Sequence, residues 1–256
     1  MDSATIMVDI RQNERIDEIG FGALKLIQDP VEFCYGVDAV ILAEFAVRRY
    51  KYVKASTRIM DLGTGNGIIP LILSHKTCSE HIFGVEVQES SWNKAVRSLE
   101  LNGLEDRIEI ILCDVLDLIH ESPELKGSFD LITCNPPYMA GHGGMKPENS
   151  ARTIARHETT AGLEDFIRVS SELLKERGEL FMVHRPSRLV DIFCMARKYR
   201  LEPKTVRMVL PREGEEANIA LVQMVKNGRP ELVVPSPLVI HDNNGGFTKE
   251  LEEAYL

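Results

Sequence analysis

The sequence lacks several features that would assign it to whole classes of protein. No apolar run reaches the roughly 18 residues needed to cross a bilayer, and Asp2, Asp9 and Arg11 interrupt the apolar stretch that a signal peptide requires. The five cysteines are scattered and none belongs to a C-x-x-C pair, which argues against a disulfide framework and a zinc site. We therefore expect a cytoplasmic protein without a membrane segment or a metal.

The sequence has fewer basic than acidic residues: 30 Lys and Arg and 39 Asp and Glu give a net charge of -9. This argues against a general nucleic-acid coat protein, since phosphate binding needs clustered Lys and Arg. A local basic face remains compatible with the total. The 256 residues, 44% hydrophobic and 27% charged, suffice for one catalytic domain with additions or for two small domains.

From about Arg58 onward, short β-rich apolar runs alternate with patterns typical of helices. The predicted strands cover residues 58–62, 81–87, 107–113, 129–134, 179–184, 205–210 and 218–225. The predicted helices run through residues 70–73, 91–101, 163–175 (stopped by Gly178) and 186–199. This alternation predicts an α/β fold with a mostly parallel sheet flanked by helices, in which ligands bind beyond the carboxyl ends of the strands.

We divide the chain into three parts. Residues 1–55 are predicted to form a small cap, with a hairpin around residues 21–27 and a helix after it. Residues 56–228 form the catalytic domain, and residues 229–256 form a proline-broken, extended tail packed on that domain.

A glycine turn follows the first strand of the catalytic domain and opens a helix. Its residues are Asp61, Leu62, Gly63, Thr64, Gly65, Asn66 and Gly67. Glycines let the chain turn sharply and let a ligand approach the backbone. Asp61 suits a cationic ligand better than a pyrophosphate, and Glu86 is spaced to bind ribose hydroxyls. The alternatives are an ordinary strand–helix turn capped by Asp61 and the cofactor site of a nicotinamide dehydrogenase.

Asp114 follows the third predicted strand of the catalytic domain. A carboxylate in this place can accept a hydrogen bond from an adenine amino group. Because Asp is also a favoured helix N-cap, a purely structural role is equally open.

A tetrad follows the fourth predicted strand of this domain and consists of Asn135, Pro136, Pro137 and Tyr138. The prolines make the backbone rigid and remove N–H donors, whereas the carbonyls and the Asn135 side chain remain acceptors. An amino nitrogen on a conjugated plane is a poor nucleophile, and two acceptors that hold its hydrogens turn its lone pair toward a methyl group. Tyr138 offers a flat face for stacking. The tetrad predicts methyl transfer to such a nitrogen; the alternatives are a rigid loop that only ends a strand, and a non-enzymatic cofactor sensor.

These ordered motifs resemble those of Rossmann-like class I S-adenosylmethionine-dependent methyltransferases, in the N-P-P-Y subgroup that methylates amino groups. More closely, the chain is similar to the bacterial family that methylates N6 of the adenine next to the anticodon of a valine tRNA. The similarity runs from about residue 21 to residue 251 and rests further on residues 35–43, 155–159, 237–242 and 247–248.

The resemblance implies a seven-stranded sheet whose last strand is antiparallel. It implies that Glu86 binds the cofactor ribose, that Asp114 binds the adenine, and that the glycine turn holds the methionine part. The segment from Gly36 to Asp38 would lie over the cofactor and help to close the pocket. The predicted cofactor contacts are Gly36, Asp38, Asp61, Gly63, Thr64, Gly65, Asn66, Gly67, Glu86, Val87, Asp114, Val115 and Asn135.

The motifs are less specific for the substrate than for the cofactor. Similar tetrads occur in enzymes that methylate protein glutamine or a guanine of rRNA, although glutamine-methylating relatives usually carry an acidic-Pro pair where this chain has no proline. The resemblance implies tRNA as the partner, and a base in an anticodon loop is a sensible target because it is cheaper to unstack than one in a duplex. The predicted substrate-binding residues are Tyr138, Lys146, Arg152 and Arg156.

Overall fold

A mixed sheet of eight strands forms the centre of the protein, and a two-stranded hairpin precedes it. The computed structural model describes residues 8–32, 34–50, 52–137 and 161–256. In chain order the strands are β1 Arg15–Glu18, β2 Lys25–Gln28, β3 Arg58–Leu62, β4 His81–Glu86, β5 Ile108–Leu112, β6 Phe129–Cys134, β7 Leu174–His184, β8 Leu201–Arg212, β9 Ile219–Lys226 and β10 Leu238–His241. The sheet order is β10-β8-β9-β7-β6-β3-β4-β5.

Helices cover both faces of this sheet. In chain order they are α1 Val37–Arg49, α2 Ile68–Lys76, α3 Glu89–Asn102, α4 Leu118–Glu121, α5 Leu163–Leu173, α6 Leu189–Lys198 and α7 Lys249–Ala254. Neighbouring residues of a strand point to opposite faces. Accordingly, Ile59 packs in one core with α1, α2, α3 and α7, whereas Met60 packs in a second core with α4, α5 and α6. No helix in the described ranges is both long and apolar enough to cross a membrane.

The strand directions confirm the predicted Rossmann-like arrangement and extend it by one strand. Strands β5, β4, β3, β6 and β7 are parallel neighbours, and β9 runs antiparallel to both β7 and β8. The eighth strand, β10, pairs in parallel with β8. Leu238 and Ile240 are buried there. The prolines predict an extended tail, and after the last of them the tail adds an edge strand to the sheet.

The junction between α5 and β7 differs from the sequence-based prediction. The helix ends at Leu173, and Gly178 lies within β7 instead of stopping the helix. A Cβ atom on Gly178 would come within 3.0 Å of the Phe129 carbonyl oxygen, and the pairing of β6 with β7 is irregular between Phe129 and Leu131. Gly178 therefore permits a close backbone approach at an irregularity in the sheet.

The N-terminal hairpin is fastened to α3 by polar contacts with little exposure to solvent. The Ile27 N–H donates to Ser98 Oγ at 3.0 Å. Arg97 donates from both terminal nitrogens to the carboxylate of Glu14, at 2.7 and 2.6 Å. These contacts hold the segment before α1 against the helix that follows β4.

Candidate active site

Four neighbouring strands bring the predicted site residues to one edge of the sheet, which we call the carboxyl edge. Asn135 follows β6, Asp61 lies near the end of β3, Glu86 ends β4 and Asp114 follows β5. Because these strands are parallel neighbours in the order β6-β3-β4-β5, their carboxyl ends lie side by side. The chain passes from β3 to its neighbour β4, and later from β5 to β6 on the other side of β3. A crevice for ligands opens at such a switch in strand order.

Backbone hydrogen bonds and positive φ angles shape the glycine turn. The N–H groups of Gly63 and Thr64 both donate to one carbonyl of β4, at 2.9 Å. Gly63, Gly65 and Gly67 have φ values of 72°, 60° and 84°, which glycine adopts without strain. A Cβ atom on Gly67 would lie 3.1 Å from the Cβ of Ala95, whereas one on Gly65 would meet nothing within 4 Å. Gly67 therefore lets α2 pack on α3, and Gly65 leaves open space beside the turn.

Asp61 is a buried carboxylate with one oxygen that the described residues leave unsatisfied. Its Oδ1 accepts a hydrogen bond from the Thr133 hydroxyl at 2.7 Å. Its Oδ2 and the Thr64 hydroxyl are buried without a hydrogen-bond partner among the described residues, and Asn66 in the same turn is only 8% exposed. Burial raises the pKa of Asp61 to about 7, and the Glu86 charge raises it further, against the lowering effect of the Thr133 hydroxyl and of the nearby Thr64 hydroxyl, which lies outside hydrogen-bond geometry. A cationic ligand would favour the ionised form.

Backbone donors hold both carboxylate oxygens of Glu86. The Gly65 N–H donates to Oε2 and the Gln88 N–H to Oε1, each at 2.8 Å. Burial raises the pKa of Glu86, and these backbone donors oppose the rise. A carboxylate offers about four lone-pair sites, so Glu86 keeps capacity to accept hydrogen bonds from ligand hydroxyls.

The residues predicted at the adenine end form a polar turn beside an apolar surface. Asp114 Oδ1 accepts a hydrogen bond from the Leu116 N–H at 2.9 Å. The N-cap of α4 is Asp117, so Asp114 shapes a turn and does not cap the helix. Val115 packs in the second core, whereas Val87 and Leu116 are 45% and 41% exposed. The exposed apolar surface at this end therefore comes from Val87, Leu116 and Leu112, which ends β5 and is 43% exposed.

A hydrogen bond joins the tetrad to the start of α1. Asn135 is half-buried, Pro136 is buried and Pro137 is exposed. The Nδ2 of Asn135 donates to Asp38 Oδ2 at 3.2 Å, and Gly36 is the N-cap residue of α1. The N-terminal segment thus contacts the tetrad directly.

All of the predicted substrate-binding residues lie outside the described residues. This applies to Tyr138, Lys146, Arg152 and Arg156. Their roles stay predictions from the sequence, and so do the ligand contacts assigned to the residues that the structure places at the carboxyl edge.

Two buried polar residues at this edge are absent from the predicted set. Thr133 lies opposite Asp61 in the pairing of β3 with β6. His184 ends β7, two residues after Met182, which pairs with Cys134 directly before the tetrad. Burial lowers the pKa of His184 to about 4, with help from the charges of Arg188 and Arg185, so its ring is neutral at pH 7. A polar residue at the carboxyl end of an apolar strand is the signal that would have identified both.

Comparison with known proteins places this geometry among methyltransferases. The sequence profile of the methyltransferase small domain matches residues 39–195. The tRNA1(Val) (adenine(37)-N6)-methyltransferase of Porphyromonas gingivalis is 31% identical over 193 residues, which cover 75% of each chain. The enzyme of the same name from Flavobacterium johnsoniae is 27% identical over 230 residues, which cover 90% of this chain and 94% of that one.

Solved structures resemble the fold at lower sequence identity. A predicted O-methyltransferase from Agrobacterium tumefaciens has a TM-score of 0.68 at 25% identity, covering 85% of this chain and 95% of that chain. The geranyl diphosphate C-methyltransferase of Streptomyces coelicolor, solved with Mg2+, geranyl diphosphate and S-adenosyl-L-homocysteine, has a TM-score of 0.53 at 14% identity. It covers 73% of this chain and 77% of that chain, and the likeness concerns the fold alone.

Proposed function

Because this chain belongs to the methyltransferase small domain family, we propose that it methylates the N6 amino group of an adenine in the anticodon loop of a tRNA. It is a methyltransferase, and its cofactor is S-adenosylmethionine. The observation that carries the proposal is the position of Asn135 at the end of β6, beside the strand that carries the glycine turn. The names of the tRNA-modifying relatives support the choice of adenine.

The residues of the carboxyl edge fit the cofactor. The unsatisfied Oδ2 of Asp61 suits the positively charged methionine part, and the open space at Gly65 lets that part approach the backbone. Glu86 would accept hydrogen bonds from the ribose hydroxyls. Asp114 would accept from the adenine amino group, with Val87 and Leu116 as apolar neighbours.

Catalysis by the chain's own residues consists mainly of positioning. The bound cofactor supplies an electrophilic methyl carbon on a positively charged sulfur. Asn135 Oδ1 and the Pro136 carbonyl would accept the two hydrogens of the target amino group, so that its lone pair points at this carbon. The methylated amino nitrogen would lose one proton to solvent, so the chain's residues would position the substrate and none is needed as a general base. Stacking on Tyr138 would contribute about 1–3 kcal/mol for a base.

An acidic chain needs a local basic surface to bind tRNA. Lys146, Arg152 and Arg156 follow the tetrad in the sequence, and we assign this surface to them. A tRNA substrate also agrees with a cytoplasmic location. Protein glutamine and rRNA guanine remain the alternative substrates, and product analysis separates all three.

The test is methylation of unmodified total tRNA with labelled S-adenosylmethionine, followed by digestion to nucleosides and chromatography. We expect label in N6-methyladenosine. Label in N2-methylguanosine or only in protein would overturn the proposal. Asn135→Ala should leave only a small residual rate of transfer at saturating S-adenosylmethionine, and transfer at the wild-type rate in this variant would remove Asn135 from the mechanism.

A further inference from the structure

We propose that Asp38 is a positioning residue for methyl transfer, because its carboxylate orients the Asn135 amide so that the amide oxygen faces the target amino group. This inference rests on the proposed function, in which Asn135 accepts a hydrogen from that amino group. It differs from the sequence-based prediction that Asp38 contacts the cofactor.

The chemistry of the two side chains determines the orientation of the amide. An asparagine amide presents a donor on one side and an acceptor on the other. Its Nδ2 lies 3.2 Å from Asp38 Oδ2. An ionised carboxylate only accepts hydrogen bonds, so the reverse orientation would put Asn135 Oδ1 against a second oxygen and lose a charge-assisted hydrogen bond. When Nδ2 donates to Asp38, the amide oxygen Oδ1 points away from Asp38 and stays available as an acceptor.

The Asp38 carboxylate is itself held in place by the start of α1. Its Oδ1 accepts a hydrogen bond from the Ala39 N–H at 3.0 Å. The N-terminal end of a helix favours negative charge. A Cβ atom on Gly36 would lie 2.8 Å from Asp38 Oδ1, closer than real Cβ contacts allow. Gly36 therefore leaves the space that the carboxylate occupies.

The hairpin also contacts the segment that leads into α1. The Tyr35 N–H donates to the Gln28 side-chain oxygen at 3.2 Å, and Gln28 ends β2 with 3% exposure. Strand β2 is fastened to α3 through the hydrogen bond from Ile27 to Ser98. The N-terminal segment thus brings a carboxylate to a site whose predicted cofactor residues, apart from Gly36 and Asp38, lie at the strand ends or directly after them.

Steady-state kinetics with tRNA, combined with calorimetry of cofactor binding, tests the role of Asp38. Asp38→Ala frees the Asn135 side chain to reverse its amide and to leave the productive position, so kcat should fall about 10- to 100-fold, since a misplacement of about 1 Å can cost 100-fold. The Kd for S-adenosylmethionine should stay within about twofold. A Kd raised tenfold or more with kcat kept would show a cofactor contact and overturn the inference.

A double-mutant cycle separates action through Asn135 from a general structural effect. In the Asn135→Ala background, Asp38→Ala should lower the methyl-transfer rate, measured by single-turnover labelling, by less than about twofold. Rate losses that multiply would overturn the proposal.

Gly36→Ala should also lower kcat, because the added Cβ displaces the Asp38 carboxylate without removing it. Gly162→Ala is the matched control, since Gly162 is the N-cap residue of α5 and its added Cβ would lie 3.6 Å from the Asp165 carboxylate, an ordinary contact.

A spectroscopic arm tests the contact without any substrate. The side-chain amide signals of Asn135 in a 15N–1H spectrum are identified by their loss in Asn135→Ala. They should shift in Asp38→Ala and stay in place in Asp191→Ala, which removes an exposed carboxylate from the first turn of α6. Signals that do not move in Asp38→Ala overturn the inference. Absence of tRNA methylation by the wild-type protein, with these signals shifting as expected, is instead a failure of the proposed function.

Discussion

Two buried carboxylates, Asp61 and Glu86, set the electrostatic character of the carboxyl edge. Burial raises the pKa of both, so each is protonated more readily than an exposed carboxylate. A cationic ligand favours their ionised forms, whereas a pyrophosphate would oppose ionisation. These side chains therefore favour a sulfonium cofactor over a dinucleotide.

Cofactor affinity should rise with pH as Asp61 ionises. Its folded pKa of about 7 lies above the ordinary value of 3.8, so the free protein loses stability as pH rises between these values. The ionised carboxylate binds a cation better, and the Kd for S-adenosylmethionine, measured by calorimetry, should fall from about pH 5.5 to about pH 7. Asp61→Asn should flatten most of this dependence. The same slope in wild type and variant would contradict the role of Asp61.

Glu86→Gln should weaken cofactor binding about 10- to 100-fold, because an amide replaces one acceptor oxygen by a donor. One of the two backbone donors, Gly65 N–H or Gln88 N–H, would then face an NH2 group. Calorimetry gives the change in Kd. Glu109→Gln, an exposed substitution on β5, is the control and should bind as wild type does. Equal affinities of all three proteins would speak against Glu86 as a cofactor contact.

Among the elements, the N-terminal hairpin and α3 act as one unit through the Arg97–Glu14 ion pair. Its side chains are only 11% and 5% exposed. Arg97→Ala leaves the partly buried Glu14 carboxylate with the Arg11 N–H as its remaining hydrogen-bond donor, so the free energy of unfolding at pH 7 should fall by about 1–3 kcal/mol. Denaturant unfolding measures this loss.

The pH dependence of that loss identifies its cause. The hydrogen bond from Arg97 lowers the pKa of Glu14 below its ordinary value of 4.5, so the stabilisation is present above that value and is lost as pH falls through the folded pKa. The difference between wild type and Arg97→Ala should therefore shrink in acid. Arg15→Ala, which removes an exposed pair with Asp17, should cost less than about 1 kcal/mol. A loss that persists unchanged in acid would point to packing and not to charge.

The segment after the tetrad is the element predicted to bind tRNA. Changing Lys146, Arg152 and Arg156 to Gln should raise the KM for tRNA and reduce the slope of log affinity against log salt by about 1 per residue. Cofactor affinity should not change. The double variant Lys126→Gln, Arg229→Gln is the control, since both residues lie near the amino ends of the parallel strands, away from the carboxyl edge. An equal effect of the control would indicate general attraction between charges and not a specific surface.

At the scale of the whole molecule, the predicted cofactor site lies at the carboxyl ends of the sheet that both helical layers cover. A ligand that binds only the folded state stabilises it by about 2.7 kcal/mol at 100 times its Kd. For a chain of this size that corresponds to a rise in Tm of about 5–10 °C. We expect this rise with S-adenosylmethionine and none with NAD, measured by thermal shift. A rise with NAD alone would favour a dehydrogenase.

Local sequence patterns predicted the structure correctly where a feature depends on the residues of one element alone. Strands β3 and β6 begin and end where the apolar runs predict, and the glycine turn follows β3 because Gly63, Gly65 and Gly67 supply the positive φ angles it needs. The pattern failed at Gly178, because a helix stop and a glycine inside a strand look alike until the neighbouring strand is known.

The sequence by itself determined the Rossmann-like fold, the class of cofactor and the predicted reaction, because these depend on periodicity and on motifs only a few residues long. The tertiary structure decided which residues meet across long stretches of chain. It added β10 to the edge of the sheet, buried Asp61 against Thr133, and brought Asp38 to Asn135. Such contacts depend on how layers pack, and no local pattern records that packing. The tetrad therefore predicts the chemistry, whereas the side chain that orients its asparagine was found only in the folded protein.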